Sequence, residues 1–242
     1  MNRSIVLATI LVLAFVSSIF VIADPVPFHD LTEQGDYRRS LGSAQSNNAY
    51  AGNTTELSAN FTSITKTWQG YFGNITGKIV LDDANNMSMY DWDVTNPTGN
   101  IFAANETISD WSSIQCFNFT ANGTVDINLS KYEQILDCAG DADGVNETFS
   151  TTTHATIYVG SQTFTNECPA TKTYVNDGAS TSFDEVLLYE PNNDIVVYAA
   201  VIYNDNTGFD NTPTDFQMLV GENGHGSAAS STTPYYFYIE LT

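Results

Sequence analysis

The chain has 242 residues and a formal net charge of −21, from 28 Asp and Glu against 7 Lys and Arg. Nucleic acid and anionic membrane surfaces both demand positive charge, so this balance makes either a poor partner. The acids are scattered without a long block, which describes a solvated surface suited to a salty medium and not an acidic tail.

Residues 1–23 carry one positive charge, Arg3, and then an apolar run from Ile5 that ends in Val21, Ile22 and Ala23 before Asp24. This is the pattern of a secretory signal peptide with a small-residue cleavage site. The run is just long enough to cross a bilayer if retained, but cleavage is the expectation. The basic residue that a pilin-like leader needs before its cleavage point is missing. Either way the remaining chain faces outside, so the protein is expected to be secreted or held on the extracellular cell surface.

Residues 24–65 are rich in Asn, Ser, Thr, Gly and Gln. They read as a polar arm or linker. Leu57, Ala59 and Phe61 alternate with polar residues, and a first strand is expected to begin there. The arm is read as a flexible spacer; the other use weighed is adding a strand to a neighbouring subunit's sheet.

The clearest local signal is residues 67–94. Ile75, Gly77, Ile79 and Leu81 share one face, and Tyr90, Trp92 and Val94 share another, each alternating with polar neighbours. A period of two marks a half-buried strand. The Asp82-Asp83-Ala84-Asn85-Asn86 break supplies turn residues, so the stretch predicts an antiparallel hairpin with its aromatics in the core. Further short strands follow at 100–105, 111–119, 154–164, 173–175, 183–189, 216–220 and 235–241, with one short helix over 129–136. Residues 195–203, IVVYAAVIY, are apolar on both faces, as in a central strand covered on both sides. Many short strands with turn signals between them predict an all-β, antiparallel β-sandwich, Ig-like or jelly-roll in style, over 66–242.

Residues 68–77 (WQGYFGNITG), 168–175 (CPATKTYV), 215–220 (DFQMLV) and 235–241 (YYFYIEL) resemble segments of a group of secreted archaeal cell-surface proteins for which no activity is known. The resemblance covers roughly Trp68 to the C-terminus. It implies compartment and fold and supplies no mechanism.

Sequons for N-glycosylation occur at Asn53, Asn60, Asn74, Asn86, Asn105, Asn118, Asn122, Asn128 and Asn146. Chance would give about five among the chain's Asn residues. All nine precede Phe149, and the Asn residues beyond it give none. Bulky sugars stay on solvent-facing positions, so a bare, tyrosine-bearing C-terminal half is the expected association surface.

Three cysteines in an exported chain imply one disulfide. Spacing does not choose among the three possible pairs. Cys116 lies in an alternating apolar run and Cys168 just after one, whereas Cys138 lies in a polar run, so Cys116–Cys168 is the expected bridge. The leftover thiol is either buried or paired between subunits.

No nucleophile elbow, phosphate-cradling loop or zinc-type spacing is present, and His29, His154 and His225 have no nucleophile beside them in the pattern. No catalytic residue or cofactor is therefore expected. Calcium is the one metal the turns suit, with Asp141, Asp143, Asp205 and Asp210 as oxygen ligands, although such clusters are also ordinary turn chemistry. The expected role is a structural or interaction protein of a filament, lattice or adhesive coat, with itself, other surface proteins or glycans as partners. The alternatives are a carbohydrate-binding module, with Trp68, Tyr71, Trp92 or Trp111 as stacking platforms, and a secreted glycoside hydrolase using paired acids.

Overall fold

The computed structural model describes residues 24–40, 42–124, 126–223 and 232–242. The expected signal segment and His225 lie outside the described residues. The protein is an all-β antiparallel sandwich, with strand outweighing helix 38% to 7%.

The strands in chain order are β1 (Val26–Pro27), β2 (Trp68–Gly73), β3 (Gly77–Asp82), β4 (Ser88–Val94), β5 (Thr98–Ala104), β6 (Gln115–Cys116), β7 (Ile157–Val159) and β8 (Gln162–Phe164). They continue with β9 (Ala170–Val175), β10 (Ser180–Glu190), β11 (Ile195–Tyr203), β12 (Asn206–Thr207), β13 (Pro213–Thr214), β14 (Phe216–Gly221) and β15 (Tyr236–Leu241). A seven-stranded sheet runs β1-β15-β5-β11-β10-β6, and β9 lies beside β6 on the outer edge of β10. Its middle is β11, as the doubly apolar pattern predicts.

Alternation along the central strands supplies both cores. Ile101 and Ala103 of β5, Leu187 and Tyr189 of β10, and Val196, Tyr198 and Ala200 of β11 face one side. There β14 and β2, the helix Leu129–Ile135 and Phe149 cover them. Phe102, Ala104, Val186, Leu188, Ile195, Val197 and Ala199 face the other, under Trp111, Ile114 and the β7–β8 hairpin. Fully burying a side chain of this size contributes about 1.5–3 kcal/mol, and two covered faces give one sheet a large apolar core.

The first core closes on a tyrosine cluster. Tyr198 Oη accepts the Gly221 N–H at 2.9 Å and shares a hydrogen bond with Tyr132 Oη, and Tyr235 Oη donates to the Gly221 carbonyl at 2.6 Å. A Cβ at Gly221 would lie 2.7 Å from both Leu136 and Tyr198 Oη, so the position needs glycine.

Three expectations are corrected. Residues 56–65 form no strand; they have no regular secondary structure and are almost wholly exposed. Residues 111–119 form a 3-10 turn, Trp111–Ser113, and the two-residue β6 in place of longer strands. The predicted hairpin exists as β3–β4, but it is not half-buried: it stands apart as its own two-stranded sheet.

Candidate interaction surface

The hairpin is well specified locally. Asp83 Oδ1 accepts the N–H groups of Asn85 and Met87 at 2.8 and 2.9 Å, and these bonds, Met87's first, hold its carboxyl below the usual range. Asn86 takes φ 62°, a left-handed turn conformation that Asn tolerates. Register then pairs Ile79 with Trp92 and Leu81 with Tyr90 on one face, and Lys78 with Asp93 and Val80 with Asp91 on the other. Lys78 Nζ reaches Asp91 at 2.7 Å and Asp93 at 3.4 Å.

The apolar face has no partner among the described residues. Ile79, Leu81, Tyr90 and Trp92 are each 50–59% exposed, and Met87 and Met89, 71% and 82%, extend the patch toward the turn. Solitary exposed apolar residues are ordinary, but a contiguous group marks an interaction site. A lone two-stranded hairpin is also marginal in water and gains stability from a third strand or a covering element.

The hairpin and the C-terminal end of the arm sit at opposite ends of the sandwich. Thr65 Oγ1 donates to Asp143 Oδ2 at 2.5 Å, and Trp68 Nε1 donates to the Asp143 carbonyl at 2.6 Å. These bonds tie the end of the arm to the Trp68 end of β2, which pairs with Gly221. The other end of β2, Gly73, pairs with Phe216, and the hairpin leaves from there. Its second strand feeds β5 at Thr98, beside Tyr203. At its far end the arm is held by β1, paired with Tyr238 and Ile239 of β15. Between these anchors Leu31, Tyr37, Tyr50, Leu57 and Phe61 are 65–91% exposed.

The four aromatics named as stacking platforms separate. Trp111 is buried against Phe102 and Tyr238. Trp68 is half-buried against Phe149 and Tyr198, and Tyr71 against Phe237. Trp92 alone of the four is strongly exposed, with Tyr90 beside it at 4.8 Å and tilted by 57°. The tyrosines expected on the surface of the C-terminal half divide: Tyr189, Tyr198 and Tyr238 are buried, Tyr203 and Tyr235 are half-buried, and Tyr158, Tyr174 and Tyr236 are exposed. Nor do the two halves divide the molecule, because β5 of the sequon-bearing half lies between β15 and β11.

Eight of the nine sequon asparagines are exposed: Asn53, Asn60, Asn74, Asn86, Asn105, Asn118, Asn122 and Asn146. Asn118 and Asn122 accept from the N–H and hydroxyl of Thr120 and Thr124. Asn128 differs. It is half-buried, caps the helix Leu129–Ile135 through Lys131 N, and spends its Nδ2 on the Ala121 carbonyl at 3.2 Å.

Cys116 and Cys168 form the expected disulfide, with Cα atoms 4.9 Å apart, and Cys138 is the free cysteine. Cys138 is fully buried, and burial pushes its thiol up to about 11. That leaves the buried alternative, since a bridge between subunits would require unfolding around it.

Among the described residues no group of three or more His, Cys, Asp and Glu side chains is placed to hold a metal ion. Asp143 is engaged by Thr65, Asp205 by Asn204, and Asp210 by the N–H and hydroxyl of Thr212. Asp141 makes turn bonds through its backbone to Cys138 and Gly144. His154 is buried and structural: its Nε2 accepts the N–H groups of Glu167 and Cys168, steadying the disulfide loop. His29 is exposed in the arm.

Sequence reading passed over four buried acids, Asp184, Glu185, Glu190 and Asp215. Asp184 binds Lys172 Nζ at 2.9 Å and Tyr203 Oη at 2.6 Å. Glu185 is sealed in the interior, where burial drives its carboxyl well above its ordinary value. Nothing in the β10 pattern marks Glu185 as buried except the apolar run that follows it. A scan against protein-family models finds no match to this chain, and searches of curated proteins and of solved structures find none either.

Proposed function

We propose that the protein is a secreted, N-glycosylated cell-surface protein with a structural or interaction role, a subunit of an extracellular filament, lattice or adhesive coat. The observation that carries this reading is the apolar face of the β3–β4 hairpin, which no described element covers, at the end of the sandwich opposite the anchor of Thr65. A disulfide supports an oxidising compartment. No helix among the described residues is long and apolar enough to cross a membrane. The exposed sequons suit a glycosylated exterior. The proposed role is non-catalytic, and the burial of Glu185 away from any substrate suits that reading.

The test is electron microscopy of surface material shed by the producing cell, with the protein identified by mass spectrometry. Ordered filaments or sheets containing it are expected. Monodisperse single particles alone would overturn the structural reading. The exposed Trp92 and Tyr90 favour a carbohydrate-binding module as the second reading; it predicts glycan binding that Trp92→Ala abolishes.

A further inference from the structure

We propose that residues 56–65 of one copy add as a third strand to the β3–β4 hairpin of another copy, linking molecules end to end. This rests on the self-associating reading above and names the contact that would carry it.

Three observations converge on that occupant. The hairpin lacks the third strand that two-stranded sheets need. The arm holds a strand pattern with no strand to pair: Leu57 and Phe61 are 69% and 91% exposed, and Ala59 lies between them. Laid along the hairpin, these three would continue the face of Ile79, Leu81, Tyr90 and Trp92. The intervening Ser58 and Asn60 would then face away, which leaves room for a sugar on Asn60.

Charge selects the same segment. Two copies with a net charge of −21 each repel one another, so their contact must be nearly uncharged. From residue 40 to residue 65 the only charged side chain is Glu56. The apolar hairpin face carries none.

Reach favours another copy over the molecule's own hairpin. Four residue steps separate Phe61 from Thr65, which is held beside Asp143, and they span at most about 14 Å. The length of β2 alone, five steps or about 17 Å, separates that anchor from the hairpin's origin at Gly73. A contact between opposite ends of identical molecules is heterologous, and repetition gives a ring or an open filament. Backbone pairing at a strand edge supplies affinity, and the side-chain face supplies register.

The experiment uses two full-length variants, Leu57→Asp with Phe61→Asp in the arm and Ile79→Asp with Trp92→Asp in the hairpin. All four positions are exposed, so each variant should keep the wild-type melting temperature, which is measured first. Wild type is expected to form concentration-dependent oligomers in sedimentation velocity, and either variant alone to need at least tenfold more protein to do so. Mixed in equal amounts, the variants should form a 1:1 dimer and stop, because the mixture holds one intact arm and one intact hairpin per pair. If wild type associates and the arm variant associates equally well, the strand addition is wrong and the self-associating reading survives. If only the hairpin variant is defective, and in the mixture the arm variant associates with itself and excludes the hairpin variant, the contact is hairpin to hairpin and this inference falls. If wild type itself stays monomeric, both readings fall.

Discussion

Leu219 donates its backbone N–H to Glu185 Oε2 at 2.9 Å, across the gap between β14 and the central sheet, while Glu185 Oε1 has no hydrogen-bond partner among the described residues. The carboxyl thus ties a covering strand to the core at the cost of desolvation. Its raised value means that the folded state holds this proton at pH values where the unfolded chain has lost it. The stability this contributes is complete below the unfolded carboxyl value of about 4.5 and declines as pH rises above it. Glu185→Gln keeps the shape and an acceptor for Leu219 but cannot ionise. Thermal melts across pH 4 to 8 should show the variant gaining on the wild type as pH rises. Parallel curves would refute a protonated Glu185.

Glu190 runs the opposite way. Burial raises its carboxyl, but the Asn192 N–H, the Ser113 hydroxyl and the Asn193 side chain and N–H outweigh burial and hold it below the usual range. Its contribution is present above the unfolded carboxyl value and is lost as pH falls through the lowered one. This group fixes the β10–β11 turn, residues 191–194. Glu190→Gln should cost about 1.5–3 kcal/mol at neutral pH, the scale of hydrogen bonds to a charged group. In urea titrations the loss should shrink toward pH 3. A constant loss at both pH values would mean that shape, not charge, holds the turn.

These two acids show where sequence reading reached its limit. Both lie on β10, whose apolar run announced a strand and whose neighbour β11 announced a central one. Strand existence, the turn between them and the short helix over residues 129–136 were legible because period and turn chemistry are local. Burial of a particular face is not local. Ile79, Leu81 and Trp92 alternate as core residues do, yet no element among the described residues covers them. Leu57 and Phe61 alternate equally well and find no strand to pair with. Trp111, read as part of a strand, instead sits in a 3-10 turn capped by Asp110, because its ring fills the space beside Phe102 and Tyr238.

The exposure contrast between two tryptophans gives a direct check on the surface. Trp111 is 6% exposed and Trp92 is 50% exposed. Trp111→Ala should destabilise by about 3–5 kcal/mol, as large core truncations do. Trp92→Ala should stay within about 0.5 kcal/mol for dilute protein, as an exposed substitution does. Denaturant titration of both variants decides this. A large loss for Trp92→Ala would mean that the hairpin packs on its own domain.

The disulfide joins β6 to the segment just before β9, two elements that share the outer edge of β10, across a sequence separation of 52 residues. Closing a loop of that size stabilises by about 4 kcal/mol in the chain-entropy description. Replacing both Cys116 and Cys168 with Ser should cost that order of stability. Cys138 should stay unreactive toward alkylating reagents until the protein unfolds, since it is buried and its thiol is pushed up. Labelling of Cys138 in the folded wild type at neutral pH would contradict this placement.

Glycan occupancy should follow the side-chain amides and not the motif alone. A sugar attaches to the asparagine Nδ2, and at Asn128 that nitrogen already donates to Ala121 while Oδ1 caps the following helix. Asn118 and Asn122, four residues apart, use only their Oδ1 within the sequon turn and leave the amide nitrogen to solvent. Quantitative glycopeptide mapping of protein from its native producer should therefore find Asn128 the least occupied of these three. Asn128→Ala should cost about 1 kcal/mol through loss of the cap, with no change in glycoprotein mass. Full occupancy at Asn128 would require the Ala121 bond and the cap to open before the sugar is transferred. It would place modification ahead of folding in this part of the chain.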